Sequence, residues 1–413
     1  CPQSSPSGKT CQGNLQHGLQ EEKNRKYGTT FLMEKIEIET KNDVRKKNPI
    51  TNIFLISDIH IGVSRASEDW LENTKEYFEQ FLIPLIKKEM NEGSVLLCLG
   101  DIFDDRKTIN IAANNLAIEM FERLASILPV YIINGNHDMY NKTQNNIMSI
   151  RSLSNIPNLY MFKNPTVWKI GDNGENKWKR SCLMIPYQGD MEKETNIINQ
   201  NSSADYTFLH SDIKNLRYDN GMSISLGVDT SATKGQIYSG HIHKRQEFEN
   251  MVYVGSPFQM RRSDIGNQKG IYRLNLIDNS RNFFPNKISP LFVKIPIEQF
   301  FDSNDDEIEK IVRHNYVDIV VNNTETEKIK LGELYERLNV FCPKKISIVV
   351  GSEEERDPNC DYCEEEDSDN YKEKSMSDII DSMIDELELE DHVKTELKSM
   401  NQTYQKLALS ETA

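Results

Sequence analysis

Five short apolar runs in this chain end in the same way. FLIS (54–57) leads into Asp58 and His60, VLLCL (95–99) into Gly100-Asp101, and VYII (130–133) into Asn134-Gly135-Asn136-His137-Asp138. YTFL (206–209) leads into His210, and QIYSG (236–240) into His241-Ile242-His243. One Asp-x-His after an apolar run is a weak signal, since turns often begin that way. Repetition changes its weight: five of the eight histidines stand at such ends, and only His17, His314 and His392 stand elsewhere. Residues two apart on a strand point the same way, so Asp58 and His60 converge if the extended geometry continues past the run. In α/β sheets ligands sit beyond the carboxyl ends of the strands, which is where all five runs put their polar groups.

The rest of the chain fits that frame. Between residues 53 and 276, β-rich runs alternate with helical ones, the pattern of an α/β domain. Strands are expected over 53–57, 95–99, 130–133, 182–185, 206–209, 236–239, 251–254 and 270–274, and helices over 67–92 and 109–128. The apolar faces of those two helices fit either the core or a homodimer contact. Residues 33–280 thus read as one domain and residues 281–350, where alternation resumes from 291, as a small α+β second domain. Residues 1–32, rich in Ser, Gln, Gly and Lys without apolar period, read as a disordered or non-native leader. Residues 351–374 read as an acidic linker: eleven acidic residues against Arg356 and Lys372 between 351 and 373 give −9 of the chain's −15, leaving only −6 for everything else. The overall charge therefore does not exclude a nucleic-acid partner. Residues 375–413 contain Ile379, Ile380, Met383, Ile384, Leu387 and Leu389 at helical spacing behind a Ser375-x-x-Asp378 cap, an amphipathic tail. Cys360 and Cys363 form one CxxC without a second pair at zinc spacing, so linker is the default there. No apolar stretch approaches the roughly 20 residues needed to span a bilayer. A soluble, cytoplasmic protein is expected.

The donors gathered by the five runs are two or three carboxylates, one amide and four or five imidazoles, with no thiolate. Hard oxygen mixed with borderline nitrogen suits Mn²⁺ or Fe²⁺, tolerates Zn²⁺ and is richer in nitrogen than Mg²⁺ sites prefer. The set exceeds the need of one ion. Two cations about 3.5–4 Å apart would use it, an arrangement suited to in-line attack on a phosphate ester. Asp101, alone after a glycine that lets the backbone turn tightly, is the candidate bridge.

The series Asp58-x-His60, Gly100-Asp101, Gly135-Asn136-His137-Asp138, His210 and Gly240-His241-x-His243 resembles the calcineurin-like metallophosphoesterase superfamily over residues 53–245. More narrowly, SDIHIG, GDIFDDRK, GNHDMY, SGHIHKRQ and VYVGSPFQ are similar to the SbcD-type DNA repair and recombination nucleases, including phage recombination endonuclease subunits. The resemblance implies a four-layer α-β-β-α sandwich with a small cap domain and a C-terminal helical tail. It implies two Mn²⁺ ions, with Fe²⁺, Mg²⁺ or Zn²⁺ as alternatives: one held by Asp58, His60, Asp101 and His243, the other by Asp101, Asn136, His210 and His241. It leaves His137 to face the scissile phosphate, with Asp138 orienting it, and a hydroxide made available by the cations as nucleophile. Many members have His where this chain has Asp104, so no role in guiding His137 or substrate is assigned to Asp104.

The function so implied is a metal-dependent DNA exonuclease or endonuclease subunit, working with an SbcC-type ABC ATPase on DNA ends, in the host cytoplasm if phage-encoded. The tail would dock on the ATPase. The alternative is a metallophosphatase or cyclic-nucleotide phosphodiesterase, because the metal site alone cannot distinguish one phosphate ester from another. For DNA contact, NKWKR (176–180) reads as a hairpin tip, with Trp178 to stack a base between Lys177, Lys179 and Arg180. Arg106, Arg261 and Arg262 flank motif loops and are assigned to the same mouth.

Overall fold

The computed structural model describes residues 39–42, 49–141, 144–171, 178–321 and 325–350, with His392, Lys394, Thr395, Lys398 and Ser399 beyond them. The proposed leader, the acidic linker with Cys360 and Cys363, Lys177 and most of the tail lie outside the described residues.

Two sheets face one another. In the first the strand order is Arg281–Pro285, Gly270–Asn275, Asn52–Ile56, Ser94–Cys98, Val130–Ile133, Leu159–Phe162, the last four parallel. In the second it is Glu39–Asn42, Thr166–Gly171, Lys179–Ile185, Tyr206–His210, Gln236–Gly240, Met251–Tyr253, Gln246–Phe248. The period of two decides how the sheets are covered. Ile53, Leu55, Val95, Leu97 and Leu99 of the first sheet meet Trp168, Met184, Phe208, Tyr238 and Val252 of the second. Their neighbours Phe54, Ile56, Leu96 and Cys98 point to the opposite face, into a core with Trp70, Phe78, Met120, Phe121 and Leu124. Both faces are apolar, which is why these strands read as continuous runs rather than alternating ones. Each fully buried large side chain contributes about 1.5–3 kcal/mol.

Helices cover the outer faces. The expected 67–92 helix runs as Glu68–Glu76, a π-helical turn Tyr77–Leu82, and Ile83–Glu89. Pro84 explains the interruption: it has no N–H to give the residue four back, and its ring would strike that carbonyl. The second helix, Ile111–Ile127, starts where the Asn110 side chain accepts from the amides of Ala112 (2.8 Å) and Ala113 (3.3 Å). It buries Ala117, Met120, Phe121 and Leu124, and Phe78 meets Phe121 edge-on, so these buried side chains belong to the core. A third helix, Met191–Gln200, connects two adjacent parallel strands of the second sheet; with the other sheet on the inner face, a crossover must lie outside. The result is the mixed α/β sandwich expected from the sequence.

Residues 292–350 gather a core cluster of their own around three parallel strands, Phe292–Pro296, Tyr316–Val321 and Lys345–Val350, linked by helices Ile297–Asp302, Asp305–Val312 and Glu325–Asn339, within the same compact unit as the two sheets. They are fixed to the sandwich by aromatic stacking and by charge. Trp70 stacks on Tyr316 (5.5 Å, 8°), and Asn73 Nδ2 donates to the Tyr316 hydroxyl at 2.6 Å. Arg262 forks onto Asp318, Nε to Oδ2 at 2.5 Å and a terminal nitrogen to Oδ1 at 3.0 Å.

Candidate metal centre

The five motif loops leave parallel strands at one end of the sandwich. Asp58 and His60 do not continue as extended chain. Asp58, His60, Asp101 and His241 have φ of 52°, 48°, 53° and 86°, the left-handed region that costs an L-residue about 1 kcal/mol or more. Left-handed turns, not the period of two, bring these side chains together. The loops are laced by amides: Asp58 N–H donates to Gly100 O (3.0 Å) and His60 N–H to Asp101 O (3.1 Å). Gly135 is required at its position, because a Cβ there would lie 2.1 Å from Asp101 Oδ1 and 2.7 Å from His210.

All seven expected ligands converge. Potential ligand atoms of Asp58, His60 and His243 lie within 4.8 Å of one another, as do those of Asp101, His210 and His241. Asp101 links the groups: its Oδ2 is 3.6 Å from His60 Nε2 and 3.2 Å from His210 Nε2. The Asn136 side chain stands 2.9 Å from both His210 Nε2 and His241 Nδ1. With the amide nitrogen turned inward it would donate to both, its oxygen then facing Arg106; with the oxygen inward it offers a cation a hard donor.

The chemistry of this donor set fits divalent cations. His210 Nδ1 donates to Leu99 O at 2.6 Å and His60 Nδ1 to Asp104 Oδ1 at 3.1 Å, so the neutral form of each ring presents its Nε2 lone pair inward; against burial, Asp101 raises the His210 pKa to about 9 and Asp104 raises that of His60, so a cation would displace a proton there. His60 Nε2 and His243 Nε2 face one another at 3.0 Å, a separation at which one proton at most can lie between them. Burial opposes ionisation of Asp101, yet His210, His137 and His60 hold its carboxyl well below the usual range. Burial, then His60, Arg261 and Lys269, push the His243 imidazole well down, leaving it neutral. Buried carboxylates and imidazoles packed this closely are a donor set that fits a divalent cation, which would replace the protons that otherwise balance the carboxylate charge.

His137 lies at the rim of the cluster. Its ring meets His60 edge-on at 4.8 Å, Nδ1 donates to Asp104 O at 2.5 Å, and its amide donates to Asp101 Oδ1 at 2.8 Å. Burial lowers its pKa, with His60 and Arg106 adding to the effect against Asp101, so it is neutral at pH 7.

Three assignments made from the sequence change. Asp138 does not orient the His137 ring: its buried carboxylate accepts the amides of Asp101 (2.9 Å), Ile102 (3.0 Å) and Gly135 (2.9 Å), clamping two ligand loops together. Asp104 gains a role, fixing His60 by its carboxylate and His137 by its carbonyl. Among the basic residues, Arg106 and Arg261 border the cluster, whereas Arg262 is bound to Asp318 of the strand Tyr316–Val321. Trp178 packs on the inter-sheet core, and Arg180 is held by Asn279 and Ile277 O. Lys179 and Arg180 begin a strand whose far end points toward the site, so about 20 Å of strand separates them from it. They do not line this mouth.

Residues that the sequence did not mark include Asp212, whose Oδ1 is 3.4 Å from His241 Nε2, and Lys269, whose ammonium donates to His243 O at 2.7 Å and to Asp264 at 2.5 Å. Glu194 accepts the Gln188 amide at 2.8 Å and the Ser211 hydroxyl. Their signals are tertiary: each lies outside a motif and acquires meaning only from what folds beside it.

Two packed sheets bring carboxylates, an amide and imidazoles together beyond their strands, in groups that fit divalent cations, and residues 51–245 match the calcineurin-like phosphoesterase family. That segment is a domain of this family. Over 245 residues the chain is 28% identical to the protein named Exonuclease subunit 1 of Enterobacteria phage T4, covering 57% of this chain and 67% of the phage protein. It is 22% identical to an uncharacterized protein, R555, of Acanthamoeba polyphaga mimivirus, over 57% of this chain and 18% of that one. It is 23% identical to the DNA double-strand break repair protein Mre11 of Archaeoglobus fulgidus, over 60% of each. Among the described residues, no helix is long and apolar enough to cross a membrane.

Proposed function

We propose that this chain is the nuclease subunit of a DNA-end processing complex, hydrolysing DNA phosphodiesters at a pair of divalent cations, preferentially Mn²⁺. The observation that carries the reading is the position of Asp101, within reach of both histidine groups at once. One ion would be held by Asp58, His60, Asp101 and His243, the other by Asp101, Asn136, His210 and His241. When bound, the pair supplies Lewis acidity and a nucleophilic water at neutral pH.

The chain's own residues do the rest. Asp104 and Leu99 O set the tautomers of His60 and His210. His137, neutral and tied at Nδ1, presents its other nitrogen as a hydrogen-bond donor to a phosphate oxygen or a departing alkoxide. Arg106 and Arg261 meet backbone phosphates at the rim. The names of the phage and archaeal relatives support DNA over a small phosphate ester, as does a second domain fixed beside the site. Residues 375–413 would dock on an SbcC-type ATPase in the cytoplasm of an infected host, an idea supported by the viral relatives and the apolar period of that segment.

The test is incubation of purified protein with Mn²⁺ and either end-labelled duplex DNA or p-nitrophenyl phosphate, beside a His137→Ala control. DNA cleavage that depends on Mn²⁺ and on His137 is expected; turnover of the small ester alone replaces this reading with a phosphatase. For the tail, deletion of 375–413 should abolish capture by a co-expressed SbcC-type ATPase and leave Mn²⁺-dependent cleavage intact; capture of the truncated chain removes the docking idea.

A further inference from the structure

His241 uses its ring differently from the other histidines. Its Nδ1 is the atom that joins His210 Nε2 at Asn136, both at 2.9 Å, so Nδ1 is the ligand nitrogen and Nε2 points away. What Nε2 meets is Asp212 Oδ1, at 3.4 Å. That oxygen is buried and makes no hydrogen bond among the described residues. A buried carboxylate oxygen without a donor is expensive, and such groups usually have a function. Here the group facing it is an imidazole nitrogen that must carry the proton once Nδ1 takes a cation, because a neutral ring has only one N–H.

We infer that Asp212 is the positioning residue of the second cation: it accepts the Nε2–H of His241, fixes the tautomer that exposes Nδ1, and adds negative charge behind the ligand. It parallels Asp104 behind His60 and Leu99 O behind His210. The backbone beneath it is built to hold position. Asp212 O accepts the Val228 amide at 2.8 Å, and on either side the Tyr253 hydroxyl accepts Ile213 N–H at 2.6 Å and donates to Ser211 O at 3.1 Å. Asp212 therefore sits two residues past a ligand on a segment pinned at three successive residues. The carboxylate faces Nε2 while Nδ1 faces Asn136, so it would act through His241 and not as a ligand itself. This inference rests on the two-cation reading of the site.

The experiment is Mn²⁺ titration of the full chain by calorimetry, with low-temperature EPR to separate a coupled ion pair from isolated ions. Wild type is expected to take up two ions and show the coupled signal. Asp212→Ala should weaken one of the two by about 10- to 100-fold and leave the other within about twofold, with isolated Mn²⁺ replacing the coupled spectrum at low occupancy. Asp212→Asn keeps the shape and an acceptor oxygen but removes the charge, and should give an intermediate loss. Wild-type constants in both variants, or equal weakening of both ions, overturn the inference. If the alanine variant does not fold, the asparagine variant decides alone: intermediate loss at one ion supports, wild-type binding overturns. A wild-type chain that binds fewer than two Mn²⁺ ions strikes the two-cation reading instead, a distinguishable result.

Discussion

His60 and His243 are separated by 183 residues, yet their Nε2 atoms face one another at 3.0 Å. Two neutral imidazoles so placed repel through their lone pairs unless a proton or a cation lies between. The pair is therefore placed to share one proton or to hold one cation.

Binding of Mn²⁺ should raise the unfolding temperature, since a ligand held only by the folded chain stabilises it by about 2.7 kcal/mol at a hundred times its dissociation constant. Asp101→Asn removes the charge shared by both ions. Its melting temperature should be insensitive to Mn²⁺ in scanning calorimetry.

His137→Ala should keep both ions and lose rate. The expected fall in kcat is about 10²- to 10⁴-fold with KM little changed, the signature of a group acting mainly in the transition state. Parallel Mn²⁺ titration and cleavage assays separate this from loss of metal.

Glu194 supplies a pH dependence. Burial raises its carboxyl to about 7, against opposing hydrogen bonds from Ser211 and Gln188. A raised carboxylate holds an extra proton in the folded state, so its stabilising contribution is full below about pH 4.5 and is lost as pH rises through about 7. Glu194→Gln mimics the protonated form at every pH. Relative to wild type, it should gain on the order of 3 kcal/mol between pH 4.5 and 8, measured by urea unfolding in EDTA.

Arg262→Ala leaves Asp318 buried without its fork. Because 41% of the Arg262 side chain is exposed, the cost should fall near 2 kcal/mol, below that of breaking a fully buried pair. Amide exchange should quicken over 316–321 while Mn²⁺ affinity stays at the wild-type value.

The revised charge map gives a contrast in DNA binding. Arg106→Ala and Arg261→Ala should each weaken duplex binding severalfold and lower the salt slope by about one, whereas Lys179→Ala and Arg180→Ala leave both nearly unchanged. Fluorescence anisotropy over a range of salt concentrations measures both quantities.

The ligands were legible because a strand buried on both faces must be apolar, so a polar residue at its end stands out; Asp58, Asp101, His210 and His241 all follow such strands. Hidden from the sequence were residues whose work depends on a distant neighbour. Asp138 follows His137 directly, which suggested a relay, but its partners are amides 36 and 37 residues earlier in the chain. Trp178 between basic residues suggested a stacking platform, but it packs, half-buried, against the inter-sheet core. The strands Leu159–Phe162 and Thr166–Gly171 were not legible because each is short and broken by an exposed residue, Tyr160 in one and Lys169 in the other.

Asp58, Asp101 and Asn136 come from the first sheet, His210, His241 and His243 from the second. Neither half of the chain can therefore hold a cation pair alone. A fragment ending before residue 205 would retain four of the donors but no imidazole of the second sheet, and cleavage there would abolish coordination even with every earlier residue in place. On the two-cation reading such a centre would form only after long loops have closed, and its occupancy would report whether the two sheets have met.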